Sequence, residues 1–234
     1  MGPFKKLFQC ESASHPVLAN TAGAIGSEET EKTRRRILEA ASKLFAEKGY
    51  EGTSVREISK LSGTNISMIS YYFGSKEELY RTVIREFALF VKQEFDLLIE
   101  EYKKMDVSEA SFKMMIEGFI TLMIVHRRRW PDICQILERE KISGYIQSRK
   151  VHEEVFFPIA RTMRNVIVEG QEKGFVNEKV MPDFFFGALI ESIKGVMIQC
   201  TAAEMIAEGD FKVPQTDNEF KEQFMNLFMK GLLR

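Results

Sequence analysis

The chain has 234 residues, of which 44% are hydrophobic and 29% are charged, and its formal net charge is -1. This length is enough for one or two domains with a substantial hydrophobic core, which excludes a miniprotein stapled by disulfides. The balanced charge and the apolar content exclude a disordered, highly charged chain. The composition therefore predicts a soluble globular protein.

The three cysteines, Cys10, Cys134 and Cys200, are an odd number without C-x-x-C spacing. We interpret them as reduced thiols in a reducing compartment. The central apolar run, residues 118–125, is much shorter than the roughly 18 residues of a membrane-spanning helix, and the first residues do not form a signal peptide. We therefore expect no membrane partner and a cytoplasmic location.

Residues 1–27 mix Gly, Ala, Ser and Pro without periodicity, which predicts a flexible N-terminal tail. The first helical pattern follows and ends at Gly49; its apolar positions are Ile37, Leu38, Ala41, Leu44 and Phe45.

Two short helices come next. Ser54 and Glu57 have the spacing of a capping box and begin a helix that ends at Gly63. A second helix begins with Thr64 or Asn65 as its cap and ends at Gly74. Two short helices joined by a glycine turn predict a helix-turn-helix.

The remaining pattern is helical to the C-terminus. A long helix begins at Ser75 and continues to about Lys104, and five further helices are expected over residues 108–129, 131–142, 149–173, 182–208 and 216–233. No stretch alternates as a strand does. The sequence predicts an all-α fold of about nine helices, with a helix-turn-helix domain over residues 28–78 and a larger helical domain for ligand binding and dimerisation over residues 79–234.

Several of these motifs together resemble one family. The segment Thr53-Ser54-Val55-Arg56-Glu57-Ile58, the turn at Gly63 and the run from Tyr71 to Tyr80 are similar to the N-terminal domain of TetR/AcrR-family transcriptional regulators. The resemblance covers roughly residues 30–85, and Ile136-Leu137-Glu138-Arg139-Glu140 resembles the CerR-like branch. It implies a dimer that binds DNA, moves its long helix when an effector binds, and pairs its last two helices with those of the partner.

In a helix-turn-helix, the second helix enters the major groove, which here assigns base reading to the helix from Asn65 to Tyr72. This helix carries no Lys or Arg, so its contacts with bases must be made by amide, hydroxyl and apolar side chains. The DNA-binding candidates are Arg34, Arg35, Ser54, Thr64, Asn65, Ile66, Ser67, Met68, Tyr71, Tyr72 and Lys76. The alternatives are a solvated helix face for Arg34, Arg35 and Arg36, and a packing role for Tyr72.

The charge distribution agrees with a local DNA-binding patch. Residues 1–85 contain 13 Lys and Arg against 10 Asp and Glu, while residues 86–234 contain 20 against 24. The net charges of +3 and -4 differ in the expected direction, but the difference is small. We therefore expect binding through specific contacts and little affinity for nucleic acid in general.

The larger domain contains 10 of the 12 Met and 15 of the 19 Phe. Met adapts its shape and Phe provides flat apolar walls, so both suit a cavity for a small hydrophobic or aromatic effector. The candidate effector-binding residues are Met114, Glu117, Thr121, His126, Phe156, Met163 and Asn165. The alternatives are ordinary core packing for the apolar residues and a surface position at a helix end for His126.

Two strongly apolar segments near the C-terminus predict a homodimer. Small residues in the first of them would allow two helices to approach closely. The candidate interface residues are Phe184, Ala188, Glu191, Gly195, Phe220, Phe224 and Phe228. The alternative is that both helices pack entirely within one subunit.

An enzyme is not indicated. The sequence has no G-x-G-x-x-G, G-x-S-x-G, H-E-x-x-H or Walker motif, and its three His residues are dispersed. We expect no catalytic site, metal or cofactor. The predicted function is a regulator, most often a repressor in this family, that binds double-stranded DNA as a homodimer and is released by a small molecule. The alternative is a DNA-bound scaffold or chromosome-organising protein whose helical domain recruits another protein.

Overall fold

The computed structural model describes residues 28–206 and 212–233, so the tail predicted for residues 1–27, together with Cys10, lies outside the described residues. Over the described ranges the chain forms nine helices when the contiguous segments between residues 149 and 172 are counted as one. Outside the helices, Val176 and Leu233 form an isolated antiparallel bridge. The all-α prediction is confirmed.

The helix bounds agree closely with the sequence pattern. A π-helical turn, His152–Phe156, separates two of the helical segments. The α-helices, in chain order, are α1 (Glu28–Gly52), α2 (Val55–Ser62), α3 (Ile66–Phe73), α4 (Lys76–Lys103), α5 (Glu109–Arg129), α6 (Pro131–Ile142), α7 (Arg149–Val151), α8 (Phe157–Glu172), α9 (Pro182–Ile206) and α10 (Asp217–Leu232).

The described residues group into two compact units. The N-terminal unit consists of residues 28–93 and 130–157, and the C-terminal unit consists of residues 94–129, 158–206 and 212–233. Helix α4 contributes residues to both units. The functional division predicted between residues 78 and 79 is a different kind of boundary and stays a prediction.

In the N-terminal unit, α1 packs against α2 and α6, and α2 packs against α3. The apolar positions predicted for α1 are buried, with Ile37, Leu38 and Phe45 fully enclosed. Phe45 meets the ring of Tyr80 edge-to-face with centroids 4.8 Å apart. The helical periodicity of α1 therefore supplies the core on which the helix-turn-helix rests.

Helix α1 bends at its C-terminal end. Gly49 has φ 73°, a left-handed conformation that glycine adopts without a Cβ clash. The side chain of Thr53 donates to the carbonyls of Leu44 and Gly49, at 3.0 and 2.8 Å. These bonds hold Thr53, the residue before the Ser54 cap, against the C-terminal end of α1.

Two cations from other helices bind the same end of α1. Lys76 Nζ donates to the carbonyls of Tyr50 and Thr53 at 2.9 and 3.1 Å, and it lies 4.2 Å from the centroid of the Tyr50 ring. Arg139 of α6 donates to the carbonyl of Ala46 at 3.1 Å and to that of Glu47 at 3.3 Å. Positive charge at a helix C-terminus is favourable, so this arrangement, which we call the α1 cation cap, stabilises the bend.

In the C-terminal unit, α5 packs against α9 and α10. Two glycines of this unit allow neighbouring segments to approach closely. A Cβ on Gly118 of α5 would lie 2.6 Å from Leu98 Cδ1 of α4, and one on Gly170 of α8 would lie 2.5 Å from Val176 Cγ2. Phe112, Met115, Ile116 and other apolar residues of α5 are buried. Helix α5 is therefore the central helix of this unit.

Helix α9 is long and rich in apolar residues. By length and composition its stretch Pro182–Ala202 could cross a membrane, although that is weak support for a span. This stretch is distinct from the shorter apolar run at residues 118–125. Several large side chains of this region remain exposed, including Phe184 at 74%.

Candidate nucleic-acid interface

Helix α2 begins with the predicted capping box. Ser54 is the N-cap: its hydroxyl accepts from the backbone N–H of Glu57 at 3.2 Å, and Glu57 Oε2 accepts from the backbone N–H of Ser54 at 2.9 Å. The Lys48 ammonium also pairs with Glu57. The hydrogen bond from Lys48, followed by those from Ser54, lowers the pKa of Glu57 to about 2. The predicted DNA candidate Ser54 therefore defines the start of α2.

The turn between α2 and α3 is formed by Gly63 and its neighbours. Gly63 has φ 64° and donates its N–H to the carbonyl of Ser59, as a left-handed C-cap does. The Thr64 hydroxyl lies 2.7 Å from that of Ser62. Asn65 occupies the N-cap position of α3, and its side chain makes no capping hydrogen bond. The predicted helix-turn-helix is thus present, with Asn65, rather than Thr64, as the cap.

Helix α3 has one buried and one outer face. Ile69 and Phe73 are buried, while Met68 and Tyr72 are half-buried. The outer side chains are exposed: Asn65, Ile66, Ser67, Ser70 and Tyr71. Tyr71 is 81% exposed, and its ring meets that of Tyr72 edge-to-face at 5.2 Å. The residues assigned to base reading therefore lie mainly on the outer face of α3.

The candidate cations near this helix are engaged within the N-terminal unit. Arg34 pairs with Glu86, and its guanidinium lies 5.6 Å from the centroid of the Phe73 ring. Burial raises the pKa of Glu86, an effect that the Arg34 charge opposes. Arg35 lies 4.0 Å from Glu39, and Lys76 belongs to the α1 cation cap. Phosphate contacts by these three residues stay predictions.

The environments of Tyr72, Arg34 and Arg36 distinguish between a packing role, a buried pairing and a solvated helix face. Tyr72 is half-buried between Tyr71 and Phe73, which fits its packing alternative. Arg36 is exposed, as on a solvated helix face, whereas Arg34 is directed to Glu86. The solvated-face alternative therefore fits Arg36 and does not fit Arg34.

The predicted effector residues occupy different environments. Met163 is fully buried, Met114 is half-buried, and the Thr121 hydroxyl donates to the carbonyl of Glu117 at 2.7 Å. Asn165 is exposed, so it does not line an enclosed cavity of the C-terminal unit. Phe156 belongs to the N-terminal unit, where its ring lies 4.9 Å from that of His152.

Two polar effector candidates have partners within the C-terminal unit. Glu117 forms an ion pair with Lys221 of α10 at 2.7 Å. His126 is only 5% exposed, and its Nε2 faces the carboxylate of Glu94. The surface position considered for His126 was therefore wrong: the apolar side of α5 carries this histidine into the unit, where a carboxylate of α4 receives it.

The dimer candidates divide into two groups. Phe184, Glu191 and Gly195 are exposed and Ala188 is half-buried, so this side of α9 is uncovered within the chain. On α10, however, Phe220 and Phe224 are each only 3% exposed. Their assignment to the interface was wrong.

Contacts inside the subunit explain the correction on α10. This helix turns its phenylalanine stripe toward α5, and the Arg128 guanidinium lies 5.2 Å from the centroid of the Phe220 ring. Phe228 is half-buried and meets Phe185 at 5.6 Å, edge-to-face. Leu227, in the same apolar segment, is 67% exposed.

Sequence reasoning missed the buried polar residues that organise the N-terminal unit. Glu140 is 4% exposed and accepts hydrogen bonds from the Tyr80 hydroxyl at 2.9 Å and from the backbone N–H groups of Gln147 and Ser148 at 3.1 and 3.0 Å. Burial, followed by the Glu140 charge, raises the pKa of Tyr80. Because charged residues at helical spacing are usually solvated, the pattern gave no signal for Glu140.

Comparison with known proteins identifies the domain. Residues 37–83 match the model of the tetR family of bacterial regulatory proteins. The chain is 27% identical to the transcriptional repressor NicS of Pseudomonas putida over 159 residues, which are 67% of this chain and 71% of that protein. It is also 27% identical to the dual regulator CecR of Shigella flexneri over 58% of this chain and 64% of that protein.

The whole fold also has counterparts among solved structures. The ketosteroid regulator KstR2 of Mycobacterium tuberculosis has 17% identity and a TM-score of 0.65, over 86% of this chain and 95% of that one. At this identity the likeness shows the fold alone. The named relatives are transcriptional regulators and not enzymes. With the match of residues 37–83 to the tetR family model, these findings show that the chain is a DNA-binding transcriptional regulator whose helix-turn-helix domain is of the TetR type.

Proposed function

We propose that the chain is a cytoplasmic repressor that binds a palindromic operator as a homodimer and is released by a small hydrophobic or aromatic effector. Residues 28–78 bind the DNA in this proposal, and residues 79–234 hold the effector and form the dimer. The observation that carries it is the exposed outer face of α3, which follows the capped helix α2 and the turn at Gly63. Regulators of this family bind DNA as dimers and respond to ligand effectors, and the related NicS is named a repressor.

The DNA-binding part is tested by selecting bound duplexes from a random pool at near-physiological salt. Non-specific phosphate contacts weaken there, while specific binding persists. We expect one palindrome to be enriched, with half-sites about one helical turn, roughly 34–36 Å, apart. Failure of a folded, effector-free protein to enrich any sequence would contradict the proposal.

The uncovered side of α9 supports the dimer. A Cβ added at Gly187 or Gly195 would meet nothing within 4 Å, so both glycines lie against open space in the single chain. Phe184 and, on α10, Leu227 are exposed at 74% and 67%. Large apolar patches of this kind on soluble proteins mark contact surfaces. Small residues beside them would allow a second α9 to approach closely.

Light scattering at micromolar concentration tests this surface. We expect the wild-type chain to have the mass of a dimer and the double variant Phe184→Glu, Leu227→Glu to have the mass of a folded monomer. Ile146→Glu is the control, since Ile146 is also exposed, at 71%, but belongs to the N-terminal unit. A monomeric wild-type protein, or a double variant that remains dimeric, would contradict the proposed interface.

The effector part of the proposal is supported by the abundance of Met and Phe in residues 86–234 and by polar groups enclosed in the C-terminal unit. Besides His126 and Glu94, the Tyr102 hydroxyl lies 3.3 Å from Glu169 Oε2. A few polar groups among apolar side chains are typical of small-molecule sites.

A compound screen by thermal unfolding, followed by operator release, tests the effector. A true effector should raise the melting temperature saturably and lower operator affinity at matching concentrations. A broad screen that gives neither effect would count against small-molecule control.

One observation favours the protein-recruiting alternative. Ile142, the last residue of α6, and Ile146, in the turn that follows, are exposed at 88% and 71%. Two large, exposed apolar side chains at the end of a helix and in the adjoining turn suit a protein contact. If Ile142→Ser, Ile146→Ser changes regulation in cells while operator binding and effector release are intact, recruitment is supported; unchanged regulation would leave the small-molecule repressor.

A further inference from the structure

The outer face of α3 lacks the chemistry that reads guanine. Between Ile66 and Phe73 there is no Lys or Arg, and the exposed side chains of this face carry amide, hydroxyl or apolar groups. Guanine is most often read by a bidentate Arg or Lys on its O6 and N7. Of the basic residues predicted to contact DNA, Arg34 and Lys76 bind Glu86 and the end of α1, respectively. The composition of the face therefore favours other bases.

Ile66 is the most unusual residue of this face. It is the first residue of α3, at the helix end whose side chains meet base edges, and it is 44% exposed. A large apolar side chain in the major groove gains from covering apolar surface, and among the base edges there this surface is the C5-methyl group of thymine. The preceding residue, Asn65, has an amide that is not used to cap the helix and can pair with adenine.

We propose that α3 recognises A·T pairs in each half-site, with Ile66 as the specificity-determining residue that covers a thymine methyl group. This inference rests on the proposed function, because it concerns the operator which that function requires. It adds the class of base pair, the atom of the base and the side chain responsible.

Deoxyuridine provides the test, because it differs from thymidine only by the missing C5-methyl. The probe is the duplex enriched from the random pool, resynthesised with deoxyuridine at one thymine at a time, symmetrically in both half-sites. A buried methyl group is worth ~0.8 kcal/mol, which corresponds to about a fourfold change in affinity per half-site and about sixteenfold for the dimer. We expect a loss of this order at one thymine position and little change at the others.

The protein variants assign the effect to Ile66. For Ile66→Ala, the thymine and deoxyuridine duplexes should bind with equal affinity, since the variant has lost the methyl contact already. Ile146→Ala is the matched control, an exposed isoleucine outside α2 and α3, and it should keep the full thymine preference. Ile66→Val, which retains an apolar branched side chain, should keep most of it. Unfolding curves establish that all three variants are folded.

The outcomes separate this inference from the proposed function. If a palindrome is enriched but every deoxyuridine duplex binds as tightly as the thymine duplex, the operator function stands and the methyl contact is refuted. If the preference persists in Ile66→Ala, the contact exists but does not belong to Ile66, which also refutes the inference. If no duplex is enriched, the proposed function fails and this inference fails with it.

Discussion

The buried carboxylate of Glu140 is expected to be one of the most sensitive positions of the N-terminal unit. It accepts three hydrogen bonds, from the Tyr80 hydroxyl and from the N–H groups of Gln147 and Ser148, at distances between 2.9 and 3.1 Å. Glu140→Ala removes the acceptor from all three donors at once. Each buried donor left without an acceptor costs about 1–3 kcal/mol, so the three together should cost at least about 3 kcal/mol, a large part of the stability of an ordinary domain.

Urea unfolding of the Glu140 variants measures this loss. Glu140→Gln keeps one carbonyl oxygen and should lose less, whereas Glu153→Ala, in an exposed ion pair with Arg149, should change the free energy of unfolding by less than about 1 kcal/mol. A Glu140→Ala variant within about 1 kcal/mol of the wild type would refute the reasoning, because it would mean that water replaces all three bonds at little cost.

Three further predictions concern other parts of the fold. Gly170→Ala should lower the free energy of unfolding by about 1–3 kcal/mol, because its Cβ would meet buried side chains, while Gly231→Ala, with open space around it, should be neutral or slightly stabilising in the same urea titration. The carboxyl of Glu57 should titrate near pH 2 by NMR, and Lys48→Met should raise its pKa. Because the folded pKa lies below the ordinary 4.5, the contribution of Glu57 to stability is present above pH 4.5 and is lost as the pH falls toward 2. Arg139→Ala should destabilise the protein by roughly 1–3 kcal/mol in thermal unfolding through loss of two charge-assisted hydrogen bonds, and an unchanged melting temperature would contradict its role in the α1 cation cap.

Much of the fold was predictable because local signals dominate helical proteins. The apolar spacing of α1, the capping box at Ser54 and the glycine after α2 each act within a few residues, so their effects can be read from the sequence. The outer face of α3 was predictable for the same reason. Family resemblance then gave the regulator assignment, which periodicity alone does not contain.

The errors came from packing between distant parts of the chain. Phe220 and Phe224 form an apolar stripe that would suit either a partner subunit or α5, and only the fold shows that α5 receives it. Likewise, the sequence around His126 is strongly basic, yet the residue is buried against Glu94, 32 positions earlier. Helical spacing shows which residues share a face, but it does not show what that face contacts.

The α1 cation cap has a consequence for how the protein tolerates mutation. Lys76 and Arg139 donate to backbone carbonyls, which every residue type supplies, so the side chains at Ala46 and Glu47 are not constrained by this contact. The two cations themselves have no such freedom. A saturation mutagenesis scan of operator binding should therefore tolerate few substitutions at the two donors and many at the exposed acceptor position Glu47. Because the acceptor side chain is free to vary, pairwise sequence covariation would not reveal this contact.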